Sequence, residues 1–260
     1  MTAPTTATTI LGSVDIPPAA NLWPFDHKLA IAHLSKNDPR LARLIEKSIE
    51  FRLNIEAMQS PYEALLEAIA YQSISGKAAA TIFARIKALG ANGRCPTPQE
   101  ILRARKSVLR KAGLSFAKIA AVRDLAQKTI EGVVPSLAEA EKMSDQELVD
   151  RLISVRGIGA WTVEMFLIFR LGRPDVLPIH DYGVQKGFAL TYAKKQIPKP
   201  RELAKFGERW RPYRTVASWY MWRAVQLAGK DARKIKKTPA KNPHKRAAEI
   251  QSRAAKTKAR

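Results

Sequence analysis

The 260-residue sequence predicts an all-α body. Three observations carry that expectation. Apolar residues recur at helical spacing over most of residues 23–228. The runs open on Ser or Thr followed by Pro, or on Ser three residues ahead of Glu. No stretch alternates apolar and polar residues in the manner of a half-buried strand. With a hydrophobic fraction of 46%, most of the chain can fold around a core.

The elements follow in order. Residues 1–22 are mainly Thr, Ala and Pro, with little to bury, and are expected to be a disordered tail. Ser60 and Pro61 read as a helix cap and first helical residue, opening one long helix to Leu89, with Gly76 as a close-packing point inside it. Thr97-Pro98 repeats the start signal before QEILRA. Ser115 opens a helix that runs to Glu131, and Ser136 precedes a short one. Ser144 with Glu147 forms a capping box for a helix ending near Ile153. Another helix follows Gly159, and two more cover roughly 181–192 and 212–228. Gly and Pro mark loops at 90–98, 172–178 and 197–200.

The charge balance limits the partners. Lys and Arg number 45 against 23 acids, a net of +22. Residues 229–260 hold twelve basic and two acidic residues, a basic arm of net +10 that leaves +12 on the body. Such a chain attracts polyanions, nucleic acid first and an anionic membrane surface second. Charge supplies affinity without chemistry. Cys95 is alone, so neither an internal disulfide nor a cysteine-held cluster can form. The four histidines lack metal-ligand spacing, so no metal is expected. No apolar run approaches the ~20 residues that span a bilayer. The first twenty residues carry no Lys or Arg and fit neither a secretory signal nor an Arg-rich transit peptide. An intracellular, soluble protein with no membrane partner is the expectation.

VRGIGAWT (155–162) interrupts the helical pattern. Glycines bracket Ile158 in a short turn between two predicted helices, and the free N–H groups of the second helix favour an anion. Val155, Arg156, Gly157, Ile158 and Gly159 therefore read as a main-chain phosphate clamp, with Arg156 adding a cation at its rim; a plain glycine-rich turn is the alternative. SGKAA (75–79) lacks the spacing of a phosphate-binding P-loop.

Three segments together carry a resemblance covering most of residues 60–225. LISVRGIG followed by LPIHDYG resembles the helix-hairpin-helix and the Gly/Pro…Asp loop of a DNA glycosylase superfamily, with Asp181 lying 22 residues after Gly159. ERWRPYRTVASWYMWRA resembles the C-terminal signature of its 3-methyladenine DNA glycosylase II branch, which repairs alkylation damage. AIAYQSISGKAAATIF resembles the helix that carries that family's base-stack wedge. The fold implied is two helical lobes, with the hairpin (152–162) and Asp181 facing a basic cleft between them. The activity implied is a monofunctional glycosylase that flips out alkylated purines and hydrolyses the N-glycosidic bond.

The resemblance also implies roles. Asp181 becomes the catalytic carboxylate, stabilising an oxocarbenium-like sugar; without the resemblance it reads first as a helix N-cap. Trp161 stands where lyase-capable members carry an attacking lysine, which points to a glycosylase without lyase activity. Its indole can stack on a cationic base, or simply fill the core. Trp222, Tyr182, Met165 and Trp219 are further pocket candidates, one of the two α-helical tryptophans being assigned to the core. Gln72, Ser73 and Ile74 are the wedge candidates, Ser73 being small for the task. Arg211 and Arg214 fit structural ion pairs as well as DNA contacts. No cofactor is implied, although a monovalent cation could sit on hairpin carbonyls. The expected partner is duplex DNA with alkylated bases, bound by a monomer in the cytoplasm or nucleoid of a bacterium or the nucleus of a eukaryote. The rival readings are a glycosylase for other damaged or mismatched bases, and a non-catalytic architectural DNA- or RNA-binding protein.

Overall fold

The computed structural model describes residues 24–229, apart from residues 57 and 59. The expectations for residues 1–22 and for the basic arm beyond Gly229 lie outside the described residues. Those described form thirteen α-helices and two short 3-10 turns, with no strand element. None of these helices is long and apolar enough to cross a membrane.

Two helices open the chain where the sequence reading placed none, α1 (His27–Asn37) and α2 (Pro39–Lys47). Asp26 and Asp38 cap them, each carboxylate accepting from two main-chain N–H groups. Asp38 is 3% exposed and its second oxygen accepts from Tyr192 Oη at 2.6 Å and Trp210 Nε1 at 3.1 Å. A helix cap thereby also ties the start of the chain to residues more than 150 positions later.

The single helix expected from Pro61 to Leu89 is two, α3 (Pro61–Tyr71) and α4 (Gly76–Lys87). Ser73 adopts φ +59 between them, in the left-handed region that non-glycine residues seldom occupy. Apolar spacing continues across this break, which is why periodicity did not reveal it. Gly76 is the first residue of α4, so its reading as a mid-helix packing point is withdrawn.

Next come α5 (Pro98–Arg103), α6 (Lys106–Lys111), α7 (Phe116–Ile130), α8 (Leu137–Lys142) and α9 (Asp145–Leu152). Complete capping boxes at Thr97/Glu100, Ser136/Glu139 and Ser144/Glu147 fix three of these starts. A hairpin leads to α10 (Ala160–Phe169), followed by α11 (Tyr182–Thr191), α12 (Pro200–Gly207) and α13 (Arg214–Ala228).

Packing divides the helices into two groups. In one, α7 lies on α3 and α5, α4 lies on α3, and α10 lies on α9 and α3. In the other, α13 runs along α11 and touches α1 and α2. The α11–α13 approach requires Gly187, since a Cβ there would sit 1.9 Å from the Met221 carbonyl oxygen. Arg214 Nε bonds Asp175 Oδ1 at 2.7 Å and Arg211 Nη1 bonds Asp175 Oδ2 at 2.6 Å, with Glu208 joining both arginines. These arginines brace the 172–178 loop against α13, which selects the structural of their two readings. That loop delivers the chain to Asp181, at the seam between the groups.

Candidate active site

Asp181 is 5% exposed and caps α11, its Oδ1 accepting from Val184 N at 2.8 Å. The same oxygen accepts from Trp222 Nε1 at 2.8 Å, and Oδ2 accepts from Trp161 Nε1 at 2.9 Å. The cap and the functional reading are therefore not alternatives. A carboxylate offers about four acceptor positions. Three donors occupy and orient it, leaving capacity for a sugar cation or a water. Gly183 admits this arrangement: a Cβ there would lie 2.7 Å from Trp222 Cδ1 and 3.0 Å from Asp181 Oδ1.

The other aromatic candidates separate. Trp161 and Trp222 are half-buried and share Asp181; Trp222 also stacks on Phe169, with centroids 5.7 Å apart and planes 20° apart. Trp161 thus has a hydrogen-bonding role that the sequence reading, framed as stacking against core packing, did not include. Trp219 is 5% exposed and packs edge-on against Phe51 and Tyr220, so its assignment to the pocket is corrected to the core. Tyr182 is 42% exposed beside Asp181, with Lys186 Nζ 5.5 Å from its ring centre. Met165 is half-buried one turn after Trp161. His180 is exposed.

The hairpin is narrower as an anion cradle than its five residues implied. Val155 N bonds Leu152 O and Ile158 N bonds Val155 O, and both side chains are buried. Arg156 N donates to Asp124 Oδ2 at 2.7 Å. These three N–H groups are already engaged, which corrects their reading as phosphate donors. The N–H groups of Gly157, Gly159 and Ala160 have no partner among the described residues. Gly157 adopts φ +80, which glycine alone accepts easily, and a Cβ there would approach Ala121 at 3.2 Å. Asp124 also pairs with Lys128 at 3.0 Å, and the Lys128 ammonium donates to the Ser154 carbonyl. Two side chains one turn apart on α7 thus clamp the hairpin from behind. The sequence reading missed them, although Asp124 and Lys128 show the i, i+4 spacing of a helix ion pair.

The wedge region is braced similarly. Gln72 Nε2 donates to the Gly157 carbonyl at 2.9 Å, tying the α3–α4 turn to the hairpin. A wedge role for Gln72 would require this bond to break. Ser73 is exposed at the turn and Ile74 is half-buried. Lys118 Nζ reaches the Ala70 carbonyl at 2.8 Å, bringing the start of α7 beside this turn. Phe116, two residues earlier, is 71% exposed, with the Arg110 guanidinium 4.7 Å from its ring centre.

A second carboxyl accompanies Asp181. Glu164 lies on the half-buried stripe of α10 with Trp161 and Met165. Its Oε2 is buried without a hydrogen-bond partner. Burial raises its pKa to about 7, and the Asp181 charge acts in the same direction. It is the lone acid of the apolar helix AWTVEMFLIF, a signal that was available in the sequence. No cluster of three or more His, Cys, Asp or Glu among the described residues is arranged to hold a metal.

Known proteins share this arrangement of helices. Residues 66–212 match the family described as HhH-GPD superfamily base excision DNA repair protein. DNA-3-methyladenine glycosylase 1 of Schizosaccharomyces pombe is 40% identical over 197 residues, 75% of this chain and 86% of that protein. The fission-yeast 3-methyladenine DNA glycosylase solved in complex with abasic DNA superposes with a TM-score of 0.69 at 39% identity, over 77% of this chain and 98% of that one. A DNA-3-methyladenine glycosidase from Bacillus halodurans gives a TM-score of 0.70 at 32% identity, over 77% of this chain and 91% of that one.

Proposed function

The chain belongs to the HhH-GPD superfamily of base excision DNA repair proteins, and we propose that it removes alkylated purines of the 3-methyladenine type from duplex DNA. It is a DNA glycosylase, a hydrolase of the N-glycosidic bond, and DNA is its partner. The observation that carries the assignment of the site is the buried Asp181 carboxylate held by the indole N–H groups of Trp161 and Trp222.

In this reading the damaged nucleotide is extruded and its sugar is brought to Asp181. As the C1′–N bond breaks, positive charge grows on the sugar. The fixed carboxylate stabilises that charge without reorganising. Water then adds to C1′. A cationic alkylated purine leaves as a neutral base and needs no proton. Trp161, Trp222, Tyr182 and Met165 supply polarisable surface for it. Trp161 cannot form a Schiff base, so the abasic site is left intact.

The N–H groups of Gly157, Gly159 and Ala160 would hold a phosphate, with Arg156 beside them, while Ser73 and Ile74 enter the vacated stack. The chemistry calls on no cofactor. A monovalent cation could be held by hairpin carbonyls, of which that of Ser154 already accepts from Lys128. We assign the protein as a monomer working on chromosomal DNA, in a nucleoid or a nucleus.

Base release tests this reading. Methylated duplex DNA should yield 3-methyladenine, identified by mass, with abasic sites left uncut. Binding without release of any methylated base would instead support an architectural protein. Strand cleavage beyond the background of abasic DNA would contradict a monofunctional enzyme.

A further inference from the structure

We propose that Glu164 is a second catalytic carboxyl, a general acid that protonates the leaving base when the purine lesion carries no charge of its own. This inference rests on the glycosylase reading above and extends it to a second class of lesion.

Glu164 lies on the same half-buried stripe of α10 as Trp161, whose indole holds Asp181. Its Oε2 is buried yet bonds to nothing among the described residues. A buried carboxylate without a donor is costly, and a second carboxylate beside it adds repulsion. A protonated carboxyl removes both penalties and presents an O–H that a base can accept. Asp181, by contrast, is met by three N–H donors. One carboxyl is thus arranged to remain an acceptor and the other to donate, the division used by glycoside hydrolases with paired carboxyls.

The charges around Glu164 leave Asp181 as the one that acts on it. The acids that α3 and α9 contribute are otherwise engaged. Glu63 pairs with Lys87, Glu67 with Arg170 and Asp145 with Arg173. Glu147 accepts from Ser144 and Asp150 from Gln146, while Arg151 is exposed.

A cationic purine needs no acid, so this group has no work on 7-methylguanine or 3-methyladenine. A neutral lesion such as hypoxanthine does need one. There the C1′–N9 electron pair passes to the purine while the Glu164 proton moves to a ring nitrogen, and the base leaves neutral. Asp181 stabilises the sugar cation. Water adds to C1′ and returns its proton to the Glu164 carboxylate, restoring the acid.

The test compares wild type with Glu164→Gln in single-turnover release from two duplexes, one with a single hypoxanthine and one with a single 7-methylguanine. We expect the variant to lose about 100-fold or more on hypoxanthine, the usual scale of general-acid catalysis. Its rate on 7-methylguanine should stay within about threefold, which also shows that it folds. The wild-type hypoxanthine rate should fall as pH rises through about 7, as Glu164 loses its proton, and Glu164→Gln should lose that dependence. Equal losses on both lesions, no loss on hypoxanthine, or loss on 7-methylguanine alone would each overturn the proposal. So would wild type that releases 7-methylguanine and leaves hypoxanthine, while the glycosylase reading stood. Release of neither base would overturn both.

Discussion

Trp161 and Asp181 are joined by a 2.9 Å hydrogen bond from the indole nitrogen to carboxylate Oδ2, across the seam between the two helix groups. The bond makes a residue that could have been pure stacking surface into part of the carboxylate's mounting. Trp161→Phe keeps a stacking ring and removes the donor. A hydrogen bond to a charged group is worth about 1.5–3 kcal/mol, so single-turnover excision should slow by about 10–100-fold. Binding of undamaged duplex should change little. An unaltered excision rate would remove the indole from the machinery.

Asp124 braces the hairpin by accepting from Arg156 N, with Lys128 beside it on Ser154 O, so the proposed role of the hairpin on DNA can be tested from behind it. Asp124→Ala should weaken binding of an abasic-site duplex by about tenfold, the loss of one charge-assisted bond. The excision rate at saturating enzyme should remain within a few-fold. Titration by fluorescence anisotropy and single-turnover kinetics separate the two quantities.

Gly187→Ala tests the α11–α13 contact. The new methyl would meet main-chain atoms of Met221, which have no rotamer with which to yield. Destabilisation should reach the upper end of the about 1–3 kcal/mol typical of overpacking, or exceed it. Chemical denaturation would measure the fall in midpoint.

Residues 230–260 supply +10 of the net charge. Removing them should weaken binding of undamaged duplex at low salt and flatten its salt dependence, since each phosphate neutralised adds about 0.9 to the log–log slope. Excision at saturating enzyme should persist, because the site lies wholly within 24–229. An unchanged slope would mean that the segment does not engage DNA.

Legibility from sequence followed the range of each interaction. Helix starts at Thr97, Ser136 and Ser144 are local and legible from a few residues, although only Ser144 with Glu147 reads as a capping box in the sequence and the structure adds the boxes at Thr97 and Ser136. The resemblance pointed to Asp181 and the hairpin, whose chemistry is tied to local motifs. The turn at Ser73 was hidden because the apolar rhythm of α3 resumes in α4. Separating Trp219 from Trp222 required knowing which face of α13 meets α11, information that spacing of three does not contain. Asp124, 32 residues before the N–H it accepts, and Glu164, defined by a partner it lacks, depend on tertiary contacts.

The central claim is that the Asp181 charge drives bond cleavage. Asp181→Asn keeps the shape, and its remaining oxygen can still cap α11, so folding and DNA binding should survive. Single-turnover release of 3-methyladenine from methylated duplex, with binding checked on the same preparations, should fall by at least about 100-fold. Release within threefold of wild type would contradict the account.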